Sequence, residues 1–354
     1  MDARPAAAHV SRRQRLVAVS LLLLAATGVV VSVVLASSGS SAPRHQTARA
    51  APRRAASGRA PRTAQTPPSS FAVGLRVVHL VDPSRTITLA NGSTEPRSLL
   101  TYVRYPALGA PGNADLPGAP PARASGPFPL VVFGHGFNVT PSLYARLLHG
   151  WAQAGYVVAA PVFPLENPSA PGGPNEADLI NQPADIRFVI SRMLASSRLS
   201  YGPLAGLIDP GAIAVSGHSD GGDTALAVAY DPRSRDPRVG AAVILSGAEI
   251  PAQGEFAFGP GGPPLLATQG TSDTVNAPSL TDAFFEAAGR PKYLLRLPGA
   301  EHLPPYSDEQ PQLSIVERVT LAFLDGYLKH RPPELRRLVS LGSVPGTATL
   351  VAEP

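Results

Sequence analysis

Three residue types that together activate a hydroxyl lie in order along this chain: Ser219, Asp273 and His302. A serine hydroxyl is a weak nucleophile at neutral pH. It attacks a carbonyl only when a base within hydrogen-bond reach takes its proton and an acid orients that base. Ser219 is the centre of Gly217-His218-Ser219-Asp220-Gly221. The apolar run Ala212-Ile213-Ala214-Val215 precedes it, and Gly222-Asp223-Thr224-Ala225-Leu226-Ala227 follows. A G-x-S-x-G pentapeptide between a strand and a helix reads as a nucleophile elbow. Its glycines remove the Cβ atoms that would block a sharp turn, and the turn lifts the hydroxyl off the end of a sheet. The pattern alone is weak; its flanks and the residues downstream give it weight.

Asp273 comes directly after the apolar run at 265–269, and His302 directly after the run at 293–297. Both are expected at the carboxyl edge of the sheet that carries Ser219. Spacings of 54 and 29 residues leave room for the intervening strands and helices. The competing role of Asp273 is a helix cap, and Glu249, after the run at 241–245, is the alternative acid. A tetrahedral intermediate also needs backbone N–H donors. One is expected from Asp220, the residue after the nucleophile. The other is expected from Phe137 in Gly134-His135-Gly136-Phe137-Asn138. The Phe137 ring is a candidate wall for the acyl group, with ordinary packing as the alternative. His135 reads as structural, bonding loop backbone. Trp151 reads as core. Asp178, Asn181 and Asp185 cluster around Pro183, either pinning a helix or lining the pocket. No metal constellation is present: the acids are dispersed, and no two histidines share helical spacing with a third ligand. The reaction needs no cofactor.

The elements that must hold these residues follow from periodicity. Segments 73–81 and 85–89 read as paired strands joined by a turn at Asp82-Pro83-Ser84, and 99–105 as another strand. A Pro/Gly/Ala loop covers 106–127. Short apolar strands at 129–133, 156–160, 212–215, 241–245, 265–269 and 293–297 then alternate with helical stretches. The helices are placed at 142–154, at 176–195 with a break at Pro183, after the elbow, at 278–288 and at 313–329. That alternation implies an α/β fold: a mostly parallel sheet with helices on both faces and antiparallel strands at the N-terminal side. Only about fifteen residues, 249–263, separate two of these strands, too few for a large lid domain. The site is expected to be open, with the loop 164–175 placed to cover part of it.

Charge divides the chain. Residues 1–70 hold ten arginines, no lysine and one acid, whereas the rest carries 20 basic and 24 acidic residues. The net charge of +5 therefore belongs to the leader, and nothing calls for a nucleic-acid partner. The chain has no cysteine, which excludes disulfides, a thiol nucleophile and thiolate-bound zinc. Arg12, Arg13 and Arg15 precede 21 uncharged residues, 16–36. As a helix these would be about 31 Å long, enough to span a bilayer. Residues 1–36 thus read as a membrane anchor or a cleaved signal peptide, giving an extracytoplasmic location by either route. Residues 37–70, rich in Ser, Ala, Pro and Arg, read as a disordered linker, 71–330 as the catalytic domain and 331–354 as a loose tail.

Taken together, Gly134-His135-Gly136-Phe137, Gly217-His218-Ser219-Asp220-Gly221-Gly222, Gly270-Thr271-Ser272-Asp273 and Glu301-His302 resemble the α/β-hydrolase superfamily. Within it the chain is similar to platelet-activating-factor acetylhydrolase-like esterases, chlorophyllase-like proteins and cutinase-like polyester hydrolases. Val81-Asp82-Pro83-Ser84-Arg85, Tyr102-Val103-Arg104-Tyr105-Pro106 and Asn181-Gln182-Pro183-Ala184-Asp185 carry that narrower likeness. The resemblance implies a serine carboxylesterase acting on small or lipid-like esters. The polyester-hydrolase branch commonly has Met after the nucleophile and often a C-terminal disulfide; this chain has Asp220 and no cysteine. Two other functions remain open at this point. One is an acyltransferase using the same triad; the other is a catalytically inactive surface-anchored binding protein.

Overall fold

The computed structural model describes residues 70–89, 91–250, 258–259 and 261–354. The anchor or signal expected over 1–36 and the linker over 37–70 lie outside the described residues, apart from Ser70. Among the described residues no helix is long and apolar enough to cross a membrane.

The N-terminal antiparallel pair is one long hairpin, β1 (Ala72–Thr88) and β2 (Thr94–Ala107). The turn expected at Asp82-Pro83-Ser84 does not reverse the chain. It is a bulge: Asp82 pairs with Arg97, and pairing resumes at Thr86 opposite Pro96 on the same partner strand. Asp82 Oδ1 accepts from the Ser84 amide at 3.0 Å, a local turn that fits inside a continuing strand. The reversal occurs at Asn91-Gly92-Ser93. There Gly92 has φ +83° and Asn91 Oδ1 accepts from the Ser93 amide at 2.9 Å. The Asn91-Gly92 dipeptide favours such a turn, and the sequence reading above passed over it for Asp82-Pro83-Ser84.

The remaining strands are β3 (Asp115–Pro117), β4 (Phe128–Gly134), β5 (Val157–Pro161), β6 (Ile208–His218), β7 (Ala241–Leu245), β8 (Leu265–Gly270), β9 (Lys292–Leu297) and β10 (Thr349–Glu353). Among the described residues they form one sheet in the order β10-β9-β8-β7-β6-β4-β5-β2-β1-β3. From β5 to β9 every pairing is parallel, as the fully apolar strands require. The α/β architecture and its antiparallel N-terminal strands are as expected.

Helices cover both faces. On one lie α2 (Gln182–Arg198) and α3 (Asp220–Tyr230), which reach β4, and α4 (Pro278–Ala287), which lies on β8; all share one buried cluster with Leu130 and Val132 of β4. On the other lie α1 (Ala145–Gln153) and α6 (Gln312–Leu328), packed on Val131 and Phe133. The period-two alternation of β4 thus feeds two cores. Trp151 is fully buried among them, and its Nε1 donates to Thr320 Oγ1 at 2.9 Å. Between α4 and α6 lies the one-turn α5 (Pro304–Ser307). The break at Pro183 is a change of helix type. A 3₁₀ helix, Glu176–Asn181, ends where α2 begins with Pro183 in its first turn, where a missing N–H costs nothing.

The segment read as a loose tail is folded. It contains α7 (Pro332–Gly342) and then β10, which pairs antiparallel with β9. Leu338 of α7 is fully buried. Sparse apolar residues made this stretch look loose; the open edge of β9 and the surface of α6 give them a place to pack.

Candidate active site

Ser219 sits where β6 gives way to α3, with φ 55° and ψ −127°. A non-glycine residue rarely adopts this conformation, and neighbours must enforce it. They do so by close approach. A Cβ on Gly217 would overlap the Gly221 carbonyl, and a Cβ on Gly221 would overlap Gly134 of β4. The Ser219 amide donates to the Leu245 carbonyl at the end of β7 at 3.1 Å, and its carbonyl accepts from the Asp223 amide at 2.9 Å. The serine is therefore clamped between two strand ends and the first turn of α3.

His302 and Asp273 emerge from the loops after β9 and β8, at the same edge. His302 Nδ1 lies 2.7 Å from Asp273 Oδ2. Asp273 Oδ1 accepts from the amides of Val275 and Asn276, each at 2.9 Å, and Oδ2 also accepts from Gln269 Nε2 at 3.1 Å. Burial pushes the Asp273 carboxyl up. The bonds from His302 and the two amides more than offset this, holding it below the usual carboxylate range. An ionised carboxylate can only accept, so His302 Nδ1 donates to Asp273 and the ring's other nitrogen is turned away from it. The alternative acid, Glu249, acts instead on the Arg233 guanidinium, whose pKa is raised chiefly by Asp231.

The loop after β4 lies against the nucleophile. A Cβ on Gly136 would stand 3.1 Å from Ser219 Cβ, a tight contact that brings the loop directly against the nucleophile. Phe137 follows, half-buried. Asp220 provides the first amide of α3, at the positive end of the helix dipole. These are the two residues whose amides the sequence reading assigns to an oxyanion. His135 is fully buried and structural. Its Nδ1 donates to the Gly136 carbonyl at 2.8 Å, while Nε2 accepts from the Phe163 amide at 2.9 Å. Burial lowers its pKa to about 4, which keeps it neutral.

The loop 164–175 underpins this region rather than simply covering it. The Glu166 carbonyl accepts from the Asn138 amide at 2.8 Å, and the Asn175 amide donates to the Leu165 carbonyl at 2.6 Å. Glu166 is fully buried. Burial first, then the nearby Asp220 charge, push its carboxyl up to about 10, so it is neutral at physiological pH.

The acidic cluster around Pro183 pins a helix. Arg97 of β2 donates to Asp178 at 2.9 and 2.7 Å and to Asp185 at 2.6 Å through both Nε and Nη2. Arg97 is 2% exposed. Arg85 reaches Asp185 from the β1 bulge at 2.7 Å, and Asn181 Nδ2 donates to Asp178 at 2.8 Å. Sequence reasoning found the acids and missed their cation, because Arg97 lies 81 and 88 residues away from them.

A family model described as Chlorophyllase matches residues 118–255. That span holds the Gly136-Phe137 loop and the Ser219 elbow, and ends before Asp273 and His302. Comparison with curated proteins gives no match. Among solved structures, a ferulic acid esterase from Streptomyces cinnamoneus is similar with a TM-score of 0.56 and 24% sequence identity. The similarity covers 75% of this chain and 93% of that one. With its parallel sheet, the elbow after β6 and the loops after β8 and β9, the chain has an α/β-hydrolase fold and resembles the Chlorophyllase family over residues 118–255.

Proposed function

We propose that the protein is a serine carboxylesterase in which Ser219, His302 and Asp273 form the catalytic triad. The observation that supports this most directly is the His302–Asp273 pair at 2.7 Å, tied to the elbow by a hydrogen bond between His218, the residue before Ser219, and the His302 carbonyl at 2.8 Å. In this reading His302 Nε2 takes the Ser219 proton as Oγ bonds to the ester carbonyl carbon. The amides of Phe137 and Asp220 receive the oxyanion. Collapse breaks the bond to the alcohol, which leaves with the proton from His302. Water, deprotonated by His302, then cleaves the acyl-enzyme and frees the acid. Asp273 stays ionised and holds the imidazolium in place.

Neutral esters with short or medium acyl chains are the proposed substrates. The carboxylate of Asp220 beside the nucleophile repels anionic ones. Aryl-carboxylate esters belong in the panel because the structural neighbour is a ferulic acid esterase. We also propose an extracytoplasmic location, on the uncharged stretch 16–36 behind Arg12, Arg13 and Arg15. Protease accessibility in intact cells tests it, and protection of the catalytic domain would contradict it.

A p-nitrophenyl ester series from acetate to palmitate, with fluorophosphonate labelling, tests the activity. The expected result is turnover that peaks below the long chains, and a label on Ser219 that Ser219→Ala abolishes. Labelling that never occurs would sink the serine-esterase reading, and labelling that survives the substitution would overturn Ser219 as its nucleophile. Ester products formed with added alcohols, in excess of free acid, would assign acyl transfer instead.

A further inference from the structure

We propose that His218 is a positioning residue that locks the oxyanion loop and the His302 loop to the nucleophile elbow. The proposal rests on the triad reading above and goes beyond it. The His218 ring is 2% exposed and uses both nitrogens. Nε2 lies 2.8 Å from the His302 carbonyl oxygen, which can only accept, so Nε2 carries the ring proton. Burial, together with the neighbouring His302, lowers the His218 pKa to about 3, so the ring is neutral and Nδ1 is a bare acceptor. Nδ1 lies 2.8 Å from the Tyr144 hydroxyl, which must therefore donate to it. The same hydroxyl accepts from the Gly136 amide at 3.3 Å. One directed chain results: Gly136 N–H to Tyr144, Tyr144 to His218, His218 to the His302 carbonyl.

Each link joins a different part of the site. Gly136 precedes Phe137, the proposed oxyanion donor. Tyr144 ends the 3₁₀ turn Pro141–Tyr144 that leads into α1. His218 ends β6 and precedes Ser219. His302 carries the proposed base, on the loop after β9. The chain spans sequence separations of 74 and 84 residues, so no local preference sets it. Ring packing fixes the His218 plane as well: its centroid lies 4.6 Å from that of His302 and 5.1 Å from that of Tyr306. Tyr306 is itself held by Ser246 Oγ at 2.9 Å and Thr268 Oγ1 at 3.1 Å. His302 itself is thus held at two points, by its side chain to Asp273 and by its carbonyl to His218, while Gly299 and Ala300 before it are bonded to Thr271 Oγ1 at 2.8 Å and the Ser272 amide at 3.0 Å. With only the first, the imidazole could pivot about the Asp273 bond and carry Nε2 away from Ser219. Misplacement by about 1 Å is enough to cost about a hundredfold in rate.

The test separates the two nitrogens. In His218→Gln the amide nitrogen can reach the Nε2 position and donate to the His302 carbonyl. In His218→Asn the shorter side chain keeps the Tyr144 contact and loses the His302 one. Tyr144→Phe deletes one oxygen and keeps the ring, guarding against a fold defect at position 218. The readout is kcat per active site, with sites counted by fluorophosphonate titration of Ser219, so that loss of folded protein drops out. Expected per-site kcat falls are about thirtyfold or more for His218→Asn, about tenfold for Tyr144→Phe and under about fivefold for His218→Gln, with KM within about twofold throughout. Equal losses in the Gln and Asn variants would overturn the proposal, as would wild-type per-site turnover in both Asn and Tyr144→Phe. Ser219→Ala, run alongside, addresses the triad separately: turnover retained there overturns the assignment of Ser219 as the nucleophile.

Discussion

His302 Nδ1 and Asp273 Oδ2 stand 2.7 Å apart, and the carboxylate that makes this bond is 4% exposed and accepts two further backbone N–H bonds. Asp273 thus bonds both the imidazole and the loop after β8; in the proposed triad the first bond orients His302. Asp273→Asn keeps the shape but presents an amide N–H or a weaker acceptor to His302, favouring the wrong tautomer. The expected outcome is a fall in kcat of about 10³–10⁴ with KM nearly unchanged, measured on a short-chain p-nitrophenyl ester. A loss under tenfold would assign the orienting role elsewhere.

The same carboxylate makes a pH-dependent contribution to stability. Its folded pKa lies below the unfolded value, so its stabilisation is present above the ordinary carboxylate range and is lost as pH falls through the folded pKa. The difference in denaturation midpoint between the native protein and Asp273→Asn is expected to shrink as pH is lowered below about 4. A gap constant from pH 7 to pH 3 would argue against an ionised Asp273.

Glu166 runs the other way. Its carboxyl is pushed up to about 10 in the folded state, so folding takes up a proton from pH 4.5 upward and stability declines as pH rises. Glu166→Gln removes that cost. It is expected to stabilise the protein at pH 7 by up to about 3 kcal/mol, and hardly at all near pH 4. Urea unfolding at both pH values checks this. A destabilised variant at pH 7 would show that the acid is ionised and paired.

Arg97 neutralises two buried acids at once, so removing it leaves Asp178 and Asp185 with only the half-exposed Arg85 and Asn181. Arg97→Met is expected to destabilise by about 3–5 kcal/mol, because uncompensated buried charge is left behind. Arg97→Lys recovers little, since an ammonium cannot reproduce the four bonds of the planar fork. Chemical denaturation of both variants tests this, and full recovery by Lys would refute the geometric argument.

Deletion of residues 332–354 removes α7 and β10. It uncovers the edge of β9, whose loop carries His302, together with the pocket filled by Leu338. The expected result is a lower melting temperature and aggregation on heating, since an unpaired strand edge templates association. A deletion variant that melts and turns over like the full chain would restore the view of this segment as a loose tail.

The parallel sheet, the elbow and the three residues now paired or clamped at its edge were legible because their signals are local. Apolar runs of strand length mark buried strands whatever surrounds them, and Gly217 and Gly221 are needed for a turn within five residues. Proline could not reveal whether Asp82-Pro83-Ser84 reverses the chain or bulges it, because the local turn is the same in both; the pairing partner decides. Arg97, Tyr144 and Glu166 carried no pattern of their own. Their roles arise where segments tens of residues apart meet, with water excluded so that each polar group must find its partner inside the protein. The sequence by itself therefore determined which residues could do chemistry and which edge of the sheet would carry them. Only tertiary packing decided that His218 faces Tyr144 and the His302 carbonyl, and that residues 332–342 and 349–353 close the sheet, because both depend on long-range burial that no short window encodes.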